Sequence, residues 1–236
     1  MCGRFFRDVS WATLREWYDL FAVAAPNLEP RYNITPTQDV LIIGKARDPQ
    51  GGFRNEIRMA HWGLVPSWAK DASLAGRMIN ARGETVAEKP AYRAAFKRRR
   101  CLVPADGFYE WQKTETGKQP WVIRHKDGHP MTFAGLWEEN EELGLRSVTI
   151  VTIAANDFMK PLHHRMPVLL GPDEYDLWMS YDSDMADVQA LIHPYEGDDL
   201  EVYPVSRQVN KPVNDDRSNL DAIDLDNEAA TGDDGD

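Results

Sequence analysis

The sequence predicts an α+β domain on a mainly antiparallel β-sheet with flanking helices, and three observations predict it. Short β-branched and aromatic runs follow one another through hairpin-like turns, as at 131–137 after Asp127-Gly128 and at 147–152 after a charged loop. Helical spacing of apolar residues is confined to a few short stretches, first at Leu14, Trp17, Tyr18 and Phe21. At 236 residues, with 42% hydrophobic content and eight each of Trp, Tyr and Phe, the chain can bury a sizeable core. No apolar run approaches a membrane span and the polar, basic start is not a signal peptide, so a soluble cytoplasmic protein is expected.

Ser10 is placed to cap a first helix that Pro26 would end. A Pro-bounded loop at 30–38 then feeds a strand at 40–43. Within it, Asn33 either closes an Asx turn or turns its amide toward a site. A turn at 47–52 leads to a strand at 57–62 and to Gly63-Leu64-Val65-Pro66-Ser67-Trp68, whose tryptophans are either core residues or flat faces for stacking bases. Residues 79–85 set Asn80, Arg82 and Glu84 at every second position; if extended, they share one face suited to a phosphate, and otherwise they form a solvated loop.

A helix is expected over 89–99, its basic end complementing the helix dipole. Short strands follow at 101–104 and 108–112. In the second, Glu110 sits among Phe108, Tyr109 and Trp111. A carboxylate among aromatic rings is costly to ionise and suits proton transfer better than an exposed position would. A hairpin turn at 116–119 precedes a strand at 120–124. His163-His164-Arg165, just ahead of an apolar strand, concentrates two imidazoles and a guanidinium. Helices at 172–180 and 186–192 and a loop at 203–210 complete the ordered part.

The charge is uneven. Net charge is −11, yet residues 214–236 hold nine acids against Arg217, so the first 213 residues carry only −3 and include Lys97-Arg98-Arg99-Arg100. A local basic groove for a nucleic acid is therefore compatible with the composition. Residues 213–236 read as an acidic, disordered tail. Cys2 and Cys101 are the only cysteines, and in a reducing compartment no disulfide is expected. With no Cys-x-x-Cys and no His-Glu-x-x-His, the sequence predicts no metal.

Chemistry concentrates at Met1-Cys2-Gly3-Arg4. Removal of Met1 before a small residue leaves Cys2 with an amine and a thiol on adjacent carbons. Free groups of these kinds titrate near ~8 and ~8.5, so both are partly nucleophilic at neutral pH. Such a pair condenses with an aldehyde to an imine and closes to a thiazolidine, whereas the thiol alone would attack an amide carbonyl.

With these pieces in order, the chain resembles the SRAP family, the SOS response-associated peptidases or abasic-site processing proteins. The resemblance rests on Met-Cys-Gly-Arg-Phe at 1–5, Arg-Tyr-Asn-Ile-Thr-Pro-Thr-Gln at 31–38 and Trp-Gly-Leu-Val-Pro-Ser-Trp at 62–68. It continues through Ile-Asn-Ala-Arg-Gly-Glu-Thr at 79–85, Gly-Phe-Tyr-Glu-Trp at 107–111 and His-His-Arg-Met-Pro at 163–167. It implies a single domain over residues 1–212 on a strongly twisted, partly barrel-like sheet. It implies that Cys2 forms a covalent thiazolidine with the aldehyde of an abasic site in single-stranded DNA, shielding the lesion, with lyase and self-cleaving peptidase activities attached. By the same resemblance His163, three residues before Met166-Pro167, would protonate the sugar ring oxygen, Glu110 would shuttle protons and Asn33 would help to position Cys2. Arg4, Asn80, Arg82 and Arg165 would hold phosphates, and Trp68 and Trp111 would line the strand's path. No cofactor is implied. The partners implied are abasic single-stranded DNA and replication proteins, with the chain a monomer associated with a nucleoid.

Three other readings compete. Glutamine amidotransferases with an N-terminal nucleophile also begin Met-Cys-Gly, but their later Arg-His-Thr-Arg and Asn-Gly patterns are missing. A peptidase would use Cys2, Glu110 and His163 for self-cleavage. A non-catalytic DNA reader would not need Cys2 at all.

Overall fold

Strand-forming runs dominate the computed structural model, which describes residues 2–21, 28–115 and 117–225. Its strands are β1 (Phe5–Arg7), β2 (Arg31–Ile34), β3 (Asp39–Arg47), β4 (Phe53–Trp62), β5 (Asn80–Arg82) and β6 (Arg100–Ala105). They continue as β7 (Gly107–Thr114), β8 (Gly117–His125), β9 (Met131–Asn140), β10 (Leu145–Ala154), β11 (Arg165–Pro167) and β12 (Leu200–Pro204). The helices are short: α1 (Trp11–Trp17), α2 (Arg93–Arg98), α3 (Tyr175–Met179) and α4 (Met185–Ala190). The predicted α+β class and mainly antiparallel sheet are both present.

One sheet has the order β12-β8-β7-β1-β2 and the other β11-β10-β4-β3-β6-β9. In the second, β10 also pairs with β9, which closes β10, β4, β3, β6 and β9 into a ring, the barrel-like arrangement expected. Among the strand pairings of the described residues, only those of β10 with β4 and β5 are parallel. Ring closure leaves few free strand edges. Phe5 joins the two layers, its ring edge-on to Trp62 at 5.1 Å and to Phe133 at 5.8 Å. Burying such a ring contributes about 1.5–3 kcal/mol, enough to hold a three-residue strand in place.

Several elements differ from expectation. Ser10 does cap α1, accepting from the Thr13 amide at 3.1 Å, but the helix stops at Trp17. Asp19 adopts a positive φ of 45° and Leu20 bridges to Asn55, turning the chain away; Pro26 lies outside the described residues. The helix expected over 89–99 begins only at Arg93, after a turn in which the Lys89 carbonyl accepts from the Tyr92 and Arg93 amides. The basic run at its end is not one surface. Arg100 is buried and donates to the carbonyls of Phe96, Lys97, Trp178 and Ser180, while Arg99 pairs with Glu138 at 2.6 Å.

β12 overlaps the loop expected at 203–210 only at Tyr203 and Pro204; it forms because Leu200–Pro204 pairs along the open edge of β8. Residues 213–225, assigned to the acidic tail, are folded onto the domain. The Asp215 carboxylate accepts from the Tyr32 and Asn33 amides and from Arg31, and the Ile223 amide donates to the Pro204 carbonyl at 3.0 Å. Residues 226–236 of that expected tail lie outside the described residues.

Candidate functional site

The site is built from the amino terminus inward. β1 lies between β7 and β2, with Phe5 opposite Phe108 and Phe6 opposite Gly107. The Tyr109 amide donates to the Arg4 carbonyl at 2.9 Å, so the contact with β7 continues to Arg4, one residue before β1. Gly107 is required here. A Cβ on it would come within 2.5 Å of the Ile123 carbonyl oxygen and of the Phe6 ring, forcing β1 off its neighbour. Cys2 is consequently buried completely. Its thiol is pushed far up from its ordinary range, first by burial and then by the charge of Glu110. The partly ionised thiol expected of a free N-terminal cysteine is therefore not what the fold holds.

Glu110, on β7, is buried. His163 leaves a tight turn in which Asn156 accepts from the Met159 amide at 2.9 Å and anchors itself on the Tyr195 carbonyl at 2.7 Å. Gln112 of β7 donates to Pro161 in that turn at 3.2 Å, tying the two stretches together. Nδ1 of His163 accepts from the Arg165 amide at 3.0 Å, which leaves a proton on Nε2, and the Arg165 carbonyl lies 3.2 Å from Nδ1. Burial lowers the affinity of the ring for a proton, and the nearby charge of Glu110 partly restores it. Glu110 thus acts electrostatically on both Cys2 and His163. His164 is exposed, its ring tilted against that of His163 at 4.3 Å.

The two asparagines sit differently from expectation. Asn80, expected at a phosphate, donates to the Cys2 carbonyl at 2.8 Å and pins the first residues. Asn33, expected beside Cys2, is buried and acts one step removed. Its oxygen accepts from Arg4 at 2.7 Å, and its nitrogen faces the carbonyls of Val209, Lys211 and Asn214 at 3.1, 3.1 and 2.6 Å. Arg4 also donates to the Val209 carbonyl and lies over the Trp111 ring at 5.3 Å. Trp111 in turn donates to Asn210 at 2.7 Å. Asn33, Arg4 and Trp111 therefore share one segment, 209–214, as their anchor.

The remaining expected contacts are spread around this centre. The extended piece at 79–85 is a strand only to Arg82, then tightens into a 3₁₀ turn at Gly83–Thr85 that takes Glu84 off the face of Asn80 and Arg82. Arg82 is exposed. Arg165 makes a two-pronged pair with Glu84, at 2.5 and 2.9 Å, and donates to the Thr152 carbonyl at 2.7 Å. The guanidinium holds the Glu84 carboxyl below the usual carboxylate range. Trp68 is 65% exposed, a flat apolar face open to a partner. Sequence reading missed Asp215 and Asn210 because they lie in or beside a stretch that looked like tail and loop. The pairing of Glu84 with Arg165 joins residues 81 apart and left no local signal.

Residues 1–212 match the family described as SOS response associated peptidase (SRAP). The chain is similar to the abasic site processing protein YoaM of Bacillus subtilis, 38% identical over 228 residues that cover 94% of this chain and 98% of that protein. It is 31% identical over 230 residues to the abasic site processing protein HMCES of Xenopus tropicalis, covering 85% and 68% respectively. The abasic site processing protein YedK of Escherichia coli is 32% identical over 185 residues, covering 76% and 79%. A crystal structure of a Bacteroides thetaiotaomicron protein shares the fold with a TM-score of 0.81 at 23% identity, over 94% of this chain and all of that one.

Proposed function

The chain belongs to the SRAP family, and from that premise we propose that it processes abasic sites by capturing their aldehyde on Cys2. The observation that carries this reading is the convergence of a buried N-terminal thiol, a buried carboxylate and a histidine that share one electrostatic neighbourhood. Opening of the abasic sugar breaks the bond from C1′ to the ring oxygen: protonated His163 gives its proton to that oxygen, and the C1′ hydroxyl loses its proton to solvent as it becomes the aldehyde. The Cys2 amine, freed when Met1 is removed, adds to C1′ and expels one water to give an imine. The thiol then adds across the C=N bond: sulfur bonds C1′, and its proton passes to nitrogen through Glu110. One aldehyde and one aminothiol give one thiazolidine and one water, with no change of oxidation state. Because burial keeps the thiol protonated, an adjacent proton acceptor is required for this last step.

The DNA strand would enter over Trp68, with Arg82 and the Arg4–Trp111 pair toward its backbone and bases. Single-stranded substrate suits a site in which the lesion must leave the base stack to reach a buried nucleophile. The family's title of peptidase fits a preparatory use of the same thiol, cleavage after Met1, which frees the amine.

Intact mass of the protein with an oligonucleotide carrying one abasic site tests the proposal. A denaturation-resistant adduct, one water lighter than the sum and absent with an undamaged strand or with Cys2→Ala, is expected. A protein lacking Met1 that forms no adduct with the abasic strand refutes the capture.

A further inference from the structure

A second cluster of side chains lies where β8 ends, outside the site described above. His125 closes β8, His129 follows in the turn to β9, and Asp199 stands just before β12, which pairs with β8. The donor atoms of all three lie within 4.8 Å of one another. His125 Nδ1 and an Asp199 oxygen are 2.9 Å apart, and the two imidazoles stack with centroids 3.8 Å apart. Two ligands of a tetrahedral ion at about 2.1 Å are about 3.4 Å apart, so small side-chain rotations bring this trio to coordinating distance.

The surroundings already orient the donors. The Tyr195 hydroxyl donates to the other Asp199 oxygen at 2.6 Å, Asp127 holds His129 through Nδ1 and so leaves Nε2 to coordinate, and the Trp17 ring stacks on His129 at 5.6 Å. His125 is buried whereas His129 and Asp199 reach the surface, which gives an ion a way in.

We propose that His125, His129 and Asp199 form a binding site for a divalent transition-metal ion of the zinc class. Two imidazoles and one carboxylate match the donor preference of zinc and leave a fourth position for water. Coordination at Nδ1 of His125 takes the place of its hydrogen bond to Asp199, and the single proton of the neutral ring then sits on Nε2. The ion would clip β8, the β8–β9 turn and β12 together. A search for closely spaced cysteine and histidine patterns passes over this site because its third donor is seventy-odd residues from the other two.

The test is titration of the chelator-stripped full-length protein with Co²⁺ and then Zn²⁺, followed by absorption, native mass and thermal unfolding. One ion per chain, displacement of cobalt by zinc and a higher melting temperature are expected. His129→Ala and Asp199→Asn should each weaken binding at least ~10-fold, and Tyr195→Phe should weaken it less. Cys2→Ser and His61→Ala should leave it unchanged. Variants are compared by their melting temperature in chelator, so misfolding is distinguished from loss of a ligand; because His129 and Asp199 are partly exposed, both variants should melt near wild type there. A protein that takes up no stoichiometric ion overturns the proposal. So does an ion lost in Cys2→Ser, with a thiolate charge-transfer band, which would locate it at the N-terminal nucleophile.

Discussion

Asn33→Asp isolates what Asn33 does, because it keeps the shape of the side chain and exchanges two N–H donors for an oxygen. Three carbonyls, of Val209, Lys211 and Asn214, converge on that nitrogen. Losing these bonds costs about 1 kcal/mol each, and a carboxylate oxygen facing three carbonyls adds desolvation and repulsion. On the other side, a charged partner for Arg4 strengthens the existing bond by about 1 kcal/mol. The net loss is about 3 kcal/mol, which for a chain of this length lowers the melting temperature by roughly 6–12 °C. Thermal and urea unfolding measure it, and adduct formation is followed well below the new midpoint. There, capture should be slowed mainly through the loosened 209–214 segment and displaced Arg4, with Cys2 still able to react. A variant that melts within a degree of wild type yet captures no aldehyde would refute this account and make Asn33 a participant in the chemistry.

Cys2→Ser keeps the amine but not the sulfur, so it should give an imine that reverses on heating and is trapped only by borohydride; a heat-stable adduct would contradict thiazolidine closure. Glu110→Gln should slow capture at least ~100-fold while changing single-strand affinity less than ~3-fold, as read by single-turnover gels and fluorescence anisotropy. Equal losses would indicate a structural role. The depressed proton affinity of His163 predicts that the wild-type rate advantage over His163→Gln grows as the pH is lowered toward and below the ordinary imidazole value of 6.5. Stability moves the other way. The folded ring binds a proton less readily than the unfolded one, so its contribution is full above the ordinary value of 6.5 and is lost as the pH falls through the folded value. A pH-independent ratio of rates would remove His163 from the acid step.

The sheet was legible because strand signals are local: β-branched and aromatic runs set off by turns located β7, β8, β9 and β10 to within a few residues. Helix ends were less so, since α1 is ended by a backbone reversal at Asp19 that no proline or glycine announces. Of the proposed site, Cys2, Glu110 and His163 stood out by residue type, but the bonds of Asn80 to the Cys2 carbonyl and of Asn33 to Arg4 and the 209–214 carbonyls could not be read. Which amide meets which carbonyl depends on contacts 78 and 181 residues apart. Asp215 was invisible for another reason. Composition assigns an acidic stretch to solvent, while three donors on β2 claim this one carboxylate.

The anchoring of Arg4 and Asn33 on residues 209–214 also sets an order in time. Cys2 leaves the ribosome about 200 residues before the segment that fixes its neighbours is made, roughly 10–40 s at ordinary rates of synthesis. During that interval the reactive end lacks its final framework. A chain stopped short of Asn214 would carry every group assigned to the chemistry and still have no fixed seat for Arg4. The connectivity thus ties the two stretches together: Arg4 and Asn33 gain their anchor only once synthesis has passed Asn214.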